Sequence, residues 1–267
     1  MYILELIPAL MDATQNYIYY LQDEATGKSA VIDPGDSKPI LDFLEKKNLK
    51  PDFILNTHSH WDHVNGNLGI KKKFPECKVI ANELDAHVIP GFDIGLKYND
   101  AFSLGEIKFK IFHTPGHLKN HISFYSENAK LLFCGDTMFS AGCGGIFEGT
   151  PEEMMTSFKL YQTLPNDTKV CCAHEYTGHN IKFAESLEPQ NQNIKKRIHQ
   201  VNFFLQHGYP TVPSSILIEK ETNPFMRFNN QELKNALSIP SERKNLEIFE
   251  ELIRRKAVFY TRNIKNK

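Results

Sequence analysis

The chain has 267 residues, 41% of them hydrophobic and 24% charged, with 31 Lys plus Arg against 32 Asp plus Glu and a net charge of -1. That size and composition fit one large soluble domain, or a larger domain with a smaller one attached, around a sizeable core. The balanced charge gives no basis for binding nucleic acid or an anionic membrane.

The opening Met1-Tyr2-Ile3-Leu4-Glu5-Leu6-Ile7-Pro8 lacks the basic region of a signal peptide, and its apolar stretch is broken by Glu5 and Pro8. No run approaches the roughly 18 apolar residues of a membrane helix. The five cysteines, Cys77, Cys134, Cys143, Cys171 and Cys172, are odd in number and form no Cys-x-x-Cys pair. They read as free thiols of a reducing cytosol, so a cytoplasmic protein is expected.

In chain order, Ile3 to Ile7, Tyr17 to Leu21 and Ser29 to Ile32 read as a meander of short strands. Asp33-Pro34-Gly35 closes the third, and Ser37 with Pro39 starts a helix through Ile40, Leu41, Phe43 and Leu44. The apolar run Phe53-Ile54-Leu55 is a buried strand. A helical stretch after Gly66 and a strand at Lys78 to Ala81 follow, giving an alternating αβ rhythm. Strands return at Ala101 to Leu104, Ile107 to Phe112, Ile122 to Tyr125 and Leu131 to Cys134. Thr150-Pro151-Glu152-Glu153 is a capping box with proline at the first helical position, predicting a helix to about Leu164; Lys169 to Ala173 is one more strand. After Tyr176 helical periodicity takes over, ending in a face of Leu246, Phe249, Ile253, Ala257 and Tyr260. A boundary is expected near residues 175 to 180, dividing the chain into 1–175 and a helical 176–267.

The densest chemistry is Thr57-His58-Ser59-His60-Trp61-Asp62-His63, directly after the Phe53 strand. Any one histidine is more often a solvated side chain than a ligand. Four donors crowded at the end of a buried strand are different, because burying them without a partner is costly. An extended chain puts His58 and His60 on one side and turns Asp62 and His63 elsewhere, which suggests two metal positions. Imidazole and carboxylate suit zinc and neighbouring first-row metals. His117, Asp136 and His174 each sit just past an apolar strand, where layered α/β folds build convergent sites. Together these make two metal sites if one aspartate bridges. His87, His113, His121, His179, His199 and His207 are assigned non-ligand roles, His113 and His121 lying near the site through His117.

His58-x-His60-x-Asp62-His63, Thr114-Pro115-Gly116-His117, Gly135-Asp136-Thr137 and Ala173-His174-Glu175-Tyr176 resemble the motifs of the metallo-β-lactamase superfamily. Ala141-Gly142-Cys143-Gly144, Phe147-Glu148-Gly149-Thr150 and Thr222-Asn223-Pro224-Phe225-Met226-Arg227 narrow the likeness to the glyoxalase II (hydroxyacylglutathione hydrolase) family, over almost the whole chain. The resemblance implies an αββα sandwich, with two mixed sheets face to face and helices outside, followed by a helical C-terminal domain over one side of the site. It implies that His58, His60 and His117 hold one divalent metal ion, Asp62, His63 and His174 a second, and that Asp136 bridges them. Zinc is favoured, with iron or manganese as alternatives. Asp33 resembles the superfamily's aspartate that orients the ligand loop, although a simple turn residue fits equally.

The implied reaction is hydrolysis of S-D-lactoylglutathione to D-lactate and glutathione, in methylglyoxal detoxification, by a hydroxide bridging the metals. The chain contains no Gly-x-Ser-x-Gly elbow, so a serine nucleophile is not expected. Glutathione contacts are expected at Gly145, Phe147, Tyr176 and Lys256, with departures from the family. Many relatives carry Lys or Arg at the position of Gly145, and Ile253 replaces an arginine for which Arg254 or Arg255 could substitute. Weaker glutathione recognition follows. The expected partner is this small-molecule thioester, with neither nucleic acid nor membrane, and the expected state is a monomer. Two alternatives remain: a mononuclear-iron persulfide dioxygenase, which shares His-x-His-x-Asp-His, and a metal-binding scaffold without turnover.

Overall fold

The computed structural model describes residues 1–240 and 242–264. Its first sheet has six strands in sequence order. Strands β1 (Tyr2–Ala9), β2 (Asn16–Asp23) and β3 (Ser29–Ile32) form an antiparallel meander. From β3 onward, β4 (Phe53–Leu55), β5 (Lys78–Asn82) and β6 (Phe92–Leu96) run parallel. Parallel neighbours need crossover connections. Helix α1 (Ser37–Lys47) makes the first, started by the Asp36 side chain, which accepts from the Lys38 amide, and stopped at Asn48 in the left-handed region. Helices α2 (Trp61–Val64) and α3 (Asn67–Lys73) make the second.

Period-two alternation divides the faces of this sheet. Tyr17, Tyr19 and Leu21 of β2, Ile32 of β3 and Leu55 of β4 point into the space between the sheets. Ile18, Tyr20, Val31 and Ile54 point the other way, onto Ile40 and Leu44 of α1 and Ile70 of α3.

The second sheet continues with antiparallel β7 (Ala101–Leu104), β8 (Ile107–His113), β9 (Ile122–Ser126) and β10 (Leu131–Gly135). A small hairpin of β11 (Met138–Phe139) and β12 (Gly142–Cys143) leaves its end, and α4 (Pro151–Gln162) follows with the expected capping box at Thr150. Strand β13 (Lys169–Cys172) returns parallel to β10. Helices α5 (Thr177–Leu187) and α6 (Gln192–Gln206) come next, then β14 (Ser214–Ser215), α7 (Ile216–Thr222), α8 (Gln231–Ala236) and α9 (Asn245–Ile264). The two mixed sheets face each other with helices outside, as the αββα expectation has it. The ring of Phe158 in α4 meets Phe225 at 6.0 Å and Phe249 of α9 at 5.7 Å, so the last helices seal the outer face of the second sheet. Burying one such ring contributes about 1.5–3 kcal/mol.

Four strands lie outside the expectations: the two-residue β11 and β12 of the small hairpin, β6 and β14. Strand β6 is an edge strand whose Asp93, Ile94 and Gly95 are exposed, so it carries no alternation to read. Strand β14 falls in the region expected to be wholly helical; two serines have no apolar pattern and become a strand only by pairing with Lys169 and Val170. No helix among the described residues is long and apolar enough to cross a membrane. All five cysteines are free and buried.

Candidate metal centre

The seven candidate ligands gather at the carboxyl ends of the central strands. His58 and His60 follow β4, Asp62 and His63 open α2, and His117, Asp136 and His174 follow β8, β10 and β13. In the second sheet β8, β10 and β13 run in the same direction, with antiparallel β9 between the first two, so their carboxyl ends share one rim, where the chain must turn and side chains can converge.

Potential donor atoms cluster as His58, His60, His117 and Asp136, as Asp62, His63 and His174, and, across the two, as Asp33, His58 and His63. In the first, His60 Nδ1 lies 3.2 Å from His58 Nε2 and 2.9 Å from His117 Nε2. In the second, Asp62 Oδ2 lies 3.9 Å from His63 Nε2 and 3.7 Å from His174 Nε2. Asp136 stands between: Oδ1 is 3.3 Å from His63 Nε2 and 3.1 Å from His174 Nε2, while Oδ2 is 3.5 Å from His117 Nε2.

The outward nitrogens fix which atoms face inward. His117 Nδ1 is 2.7 Å from the Gly145 carbonyl and His174 Nδ1 is 2.7 Å from the Thr14 carbonyl. A carbonyl only accepts, so both Nδ1 atoms carry hydrogen, and both Nε2 atoms are the ring nitrogens left to face inward. Thr57 Oγ1 donates to Asp33 Oδ2 at 2.7 Å, leaving its own lone pair for His58 Nδ1–H at 3.0 Å. His58 Nε2 therefore presents a lone pair. His63 Nδ1 approaches Asp33 Oδ2 at 3.1 Å, but without the alignment of a directed hydrogen bond. The buried His63 Nε2, His174 Nε2 and Asp136 Oδ1 have no hydrogen-bond partner. Lone pairs and carboxylate oxygens crowded together repel one another unless a cation lies among them. The donor set therefore fits divalent metal ions.

Electrostatics differ between the two groups. Burial pushes the pKa values of His58, His60 and His117 down, so these rings are neutral. For Asp136, burial is the largest influence and acts upward, but His174 and His63 together outweigh it and hold the carboxyl well below the usual range. His63 is the counterpart: burial opposes its charge, and Asp136 with Asp33 overcomes it and raises its pKa.

Asp33 is more than a turn residue. It sits in the left-handed region at φ 49°, and its Oδ1 accepts the Thr57 amide at 2.8 Å, so it holds the residue just before His58. His121 is close to the ligands but has both nitrogens engaged elsewhere. Its ring stacks on His58 at 4.9 Å, Nε2 accepts from the Asp136 amide at 3.2 Å, and Nδ1 faces the Thr114 and Thr137 hydroxyls. His113 is exposed, with Nε2 on the Lys119 carbonyl.

Comparison with known proteins decides the family. Residues 11–174 match the metallo-beta-lactamase superfamily, and residues 175–259 match the hydroxyacylglutathione hydrolase C-terminus. Over 253 residues, 95% of this chain and 97% of the relative, the sequence is 41% identical to a hydroxyacylglutathione hydrolase from Methylococcus capsulatus. One from a Synechococcus strain is 42% identical over 86% of this chain and 90% of its own. The chain belongs to the hydroxyacylglutathione hydrolase family. Its fold is shared more widely. The crystal structure of ETHE1 from Myxococcus xanthus superposes with a TM-score of 0.63 at 20% identity, covering 96% of this chain and 99% of its own. That of a metallo-beta-lactamase from Staphylococcus aureus gives 0.64 at 20%, covering 95% and 71%.

In this hydroxyacylglutathione hydrolase-family chain an open cleft of about 410 Å³ leads to the ligands, lined by His60, Asp62, His117, Asp136 and His174 together with Trp61, Phe139, Gly145, Phe147 and Tyr176. Gly145, Phe147 and Tyr176 are thus brought to the cleft. Phe147 stands at its mouth, 71% exposed, edge-on to His60 and His117. Tyr176 stacks on His174 with rings 4.7 Å apart. The basic candidates are differently placed. Lys256 Nζ is bonded to the Cys143 carbonyl, two residues before Gly145, and lies 5.8 Å from the Phe225 ring centre. Arg254 points to solvent and pairs with Glu251 at 2.7 Å, and Arg255 pairs with the same carboxylate. Neither of these two arginines lines the cleft, and Ile253 packs into the core.

Sequence reasoning passed over Asn16, Thr14, Trp61 and Phe139. Thr14 lies in the turn before β2 and Asn16 opens that strand, each more than forty residues from any ligand it touches. The one available signal was a buried-type asparagine opening a strand of aromatic residues.

Proposed function

We propose that this chain hydrolyses S-D-lactoylglutathione to D-lactate and glutathione. In this reading two divalent metal ions, zinc favoured over iron or manganese, are held by His58, His60 and His117 and by Asp62, His63 and His174, with Asp136 between them. The carrying observation is the division of Asp136's two oxygens between two sets of inward imidazole nitrogens in an open cleft. The family membership supports the substrate. When bound, such ions lower the pKa of water and polarise a carbonyl.

The chain's own groups do the rest. Asp136, held ionised, serves as an anionic anchor and not as a proton donor. Burial, then Asp136 and Asp62, push the Tyr176 pKa up, so its hydroxyl stays protonated and able to donate at the cleft wall. Trp61, Phe139, Phe147 and Tyr176 give the cleft aromatic walls that orient the thioester and exclude water from its apolar parts. Water supplies the oxygen of the acid and one proton to the leaving thiolate. Since a thiol has a pKa of about 8.5, that departure needs little help from a general acid. The buried Cys134 and Cys143 have thiol pKa values pushed up by burial, which argues against either as a nucleophile.

Asp33 orients the ligand loop, and Gly145, Phe147, Tyr176 and Lys256 lie at or beside the path to it; Arg254, paired with Glu251, is left as a distant contributor. The same reading takes residues 1–175 as the metal-binding part, 176–267 as the helical part covering the cleft, and the protein as a cytoplasmic monomer acting on a small molecule. The likeness to ETHE1, at 20% identity, extends to the fold alone.

The test is loss of thioester absorbance with S-D-lactoylglutathione on purified protein, with metal content measured on the same sample. Turnover with close to two metal ions per chain is expected. Full activity in protein stripped of metal would overturn the mechanism. Oxygen uptake with glutathione persulfide, without thioester hydrolysis, would overturn the substrate.

A further inference from the structure

Asn16 takes no part in the reaction above, yet it is a buried amide, 1% exposed, whose bonds all serve one ligand group. Its Nδ2 donates to the Asp62 carbonyl at 2.9 Å and to Asp62 Oδ2 at 3.2 Å. That Oδ2 is the oxygen facing His63 and His174. Asn16 Oδ1 accepts from the Thr14 hydroxyl, and the Thr14 carbonyl in turn accepts His174 Nδ1–H at 2.7 Å.

The backbone repeats the grip. Asn16 and His174 form an antiparallel bridge, with the Tyr17 amide on the Ala173 carbonyl at 2.7 Å and the Glu175 amide on the Gln15 carbonyl at 2.9 Å. The turn itself is tightly wound: the amides of Ala13, Thr14 and Gln15 all donate to the Leu10 carbonyl at 2.9–3.0 Å, with Leu10 and Gln15 in the left-handed region. Among the described residues, no hydrogen bond from Thr14 or Asn16 reaches His58, His60 or His117. His58 is fixed by Thr57 and Asp33 and His117 by the Gly145 carbonyl, and His60 Nδ1 meets the rings of those two.

We propose that Asn16 is a positioning residue for one half of the centre: it orients Asp62, and through Thr14 His174, and so sets the cation affinity of the Asp62–His63–His174 group without setting that of the other. This rests on the two-ion reading above. A carboxylate held by an amide keeps its ligand oxygen aimed inward; freed, it rotates among several positions and loses affinity.

The test is titration of metal-free protein with Zn²⁺ against a competing chromophoric chelator, for the natural chain and for Asn16→Ala and Asn16→Ser, with ions per chain counted by mass spectrometry. One of the two binding steps is expected to weaken by about 10- to 100-fold in both variants while the other stays within about twofold. Equal weakening of both steps, or of neither, overturns the assignment. A natural chain that takes up a single ion overturns the two-ion reading instead. Should the variants fail to fold by circular dichroism, the natural chain still decides. The Asn16 side-chain amide resonances are expected to move with one equivalent of Zn²⁺ and not the other; movement with both or with neither counts against the proposal.

Discussion

The carbonyl of Gly145 accepts the Nδ1 hydrogen of His117 at 2.7 Å. The glycine therefore acts on the ligand through its backbone, and its missing side chain is free to vary. A Cβ at Gly145 meets only carbons of the Phe147 ring, the nearest at 3.1 Å, and that ring is mostly exposed and able to move. Gly145→Lys is expected to leave kcat and metal content unchanged and to lower KM for the anionic glutathione thioester by about two- to fivefold, the range of an exposed ion pair worth up to ~1 kcal/mol. Steady-state kinetics read the split; a fall in kcat would mean that the carbonyl has been displaced.

Gly144 behaves in the opposite way. A Cβ there comes within 1.9 Å of the Asp136 carbonyl and 3.0 Å of His117 Nδ1, and a backbone atom cannot swing aside. Gly144→Ala is expected to displace the Asp136 loop, lowering metal content and cutting activity by about 10-fold or more, since misplaced ligands lose affinity on that scale. Unchanged metal content by mass spectrometry would contradict this.

Asp136→Asn keeps the shape of the side chain and removes the charge that faces His63, His117 and His174. The variant is expected to fold, with circular dichroism like the parent, and to bind metal about 10- to 100-fold more weakly. Thioester hydrolysis should fall at least as far. Parental activity would remove Asp136 from the centre.

Stripping metal with a chelator leaves like-polarity atoms crowded in a buried site, so the folded state should lose stability. Binding at 100 times Kd stabilises by about 2.7 kcal/mol, which for a chain of this size corresponds to a Tm shift of about 5 °C or more. Differential scanning fluorimetry with and without added Zn²⁺ checks it, and an unchanged Tm would indicate no specific binding.

On α9, the Arg254 hydrogen bond and then that of Arg255 bring the Glu251 carboxyl down to about 2 despite the opposing effect of burial. A carboxyl depressed in the folded state contributes stability that is present above the ordinary unfolded pKa of about 4.3 and is lost as pH falls through about 2. Glu251 is half-buried but its partner Arg254 is exposed, so screening keeps the contribution below ~1 kcal/mol. The Tm difference between the natural chain and Glu251→Gln, both metal-free, should therefore shrink between about pH 5 and pH 2. Because Arg254 is spent on this pair, Arg254→Ala is expected to leave KM within about twofold; a larger rise would make it a substrate contact after all.

Much of this protein was legible one residue at a time. Short apolar runs between turn signals such as Tyr17 to Leu21, the capping box at Thr150 and the spacing of His58, His60, Asp62 and His63 are local patterns, set by backbone geometry and by the chemistry of the side chains. They determined most of the strands and helices, and the candidate donors at the strand ends. What they could not determine depends on residues far apart in sequence. Strand β14 exists only because β13 offers it a ladder, and Lys256 reaches the Cys143 carbonyl because of where its helix packs. The tertiary structure alone decided which oxygen of Asp136 meets which histidine, that the Gly145 carbonyl holds His117, and that Asn16 reaches Asp62 across 46 residues of chain. The physical reason is that hydrogen-bond direction and lone-pair polarity are properties of atoms brought within about 3 Å of one another, which a chain acquires only on folding.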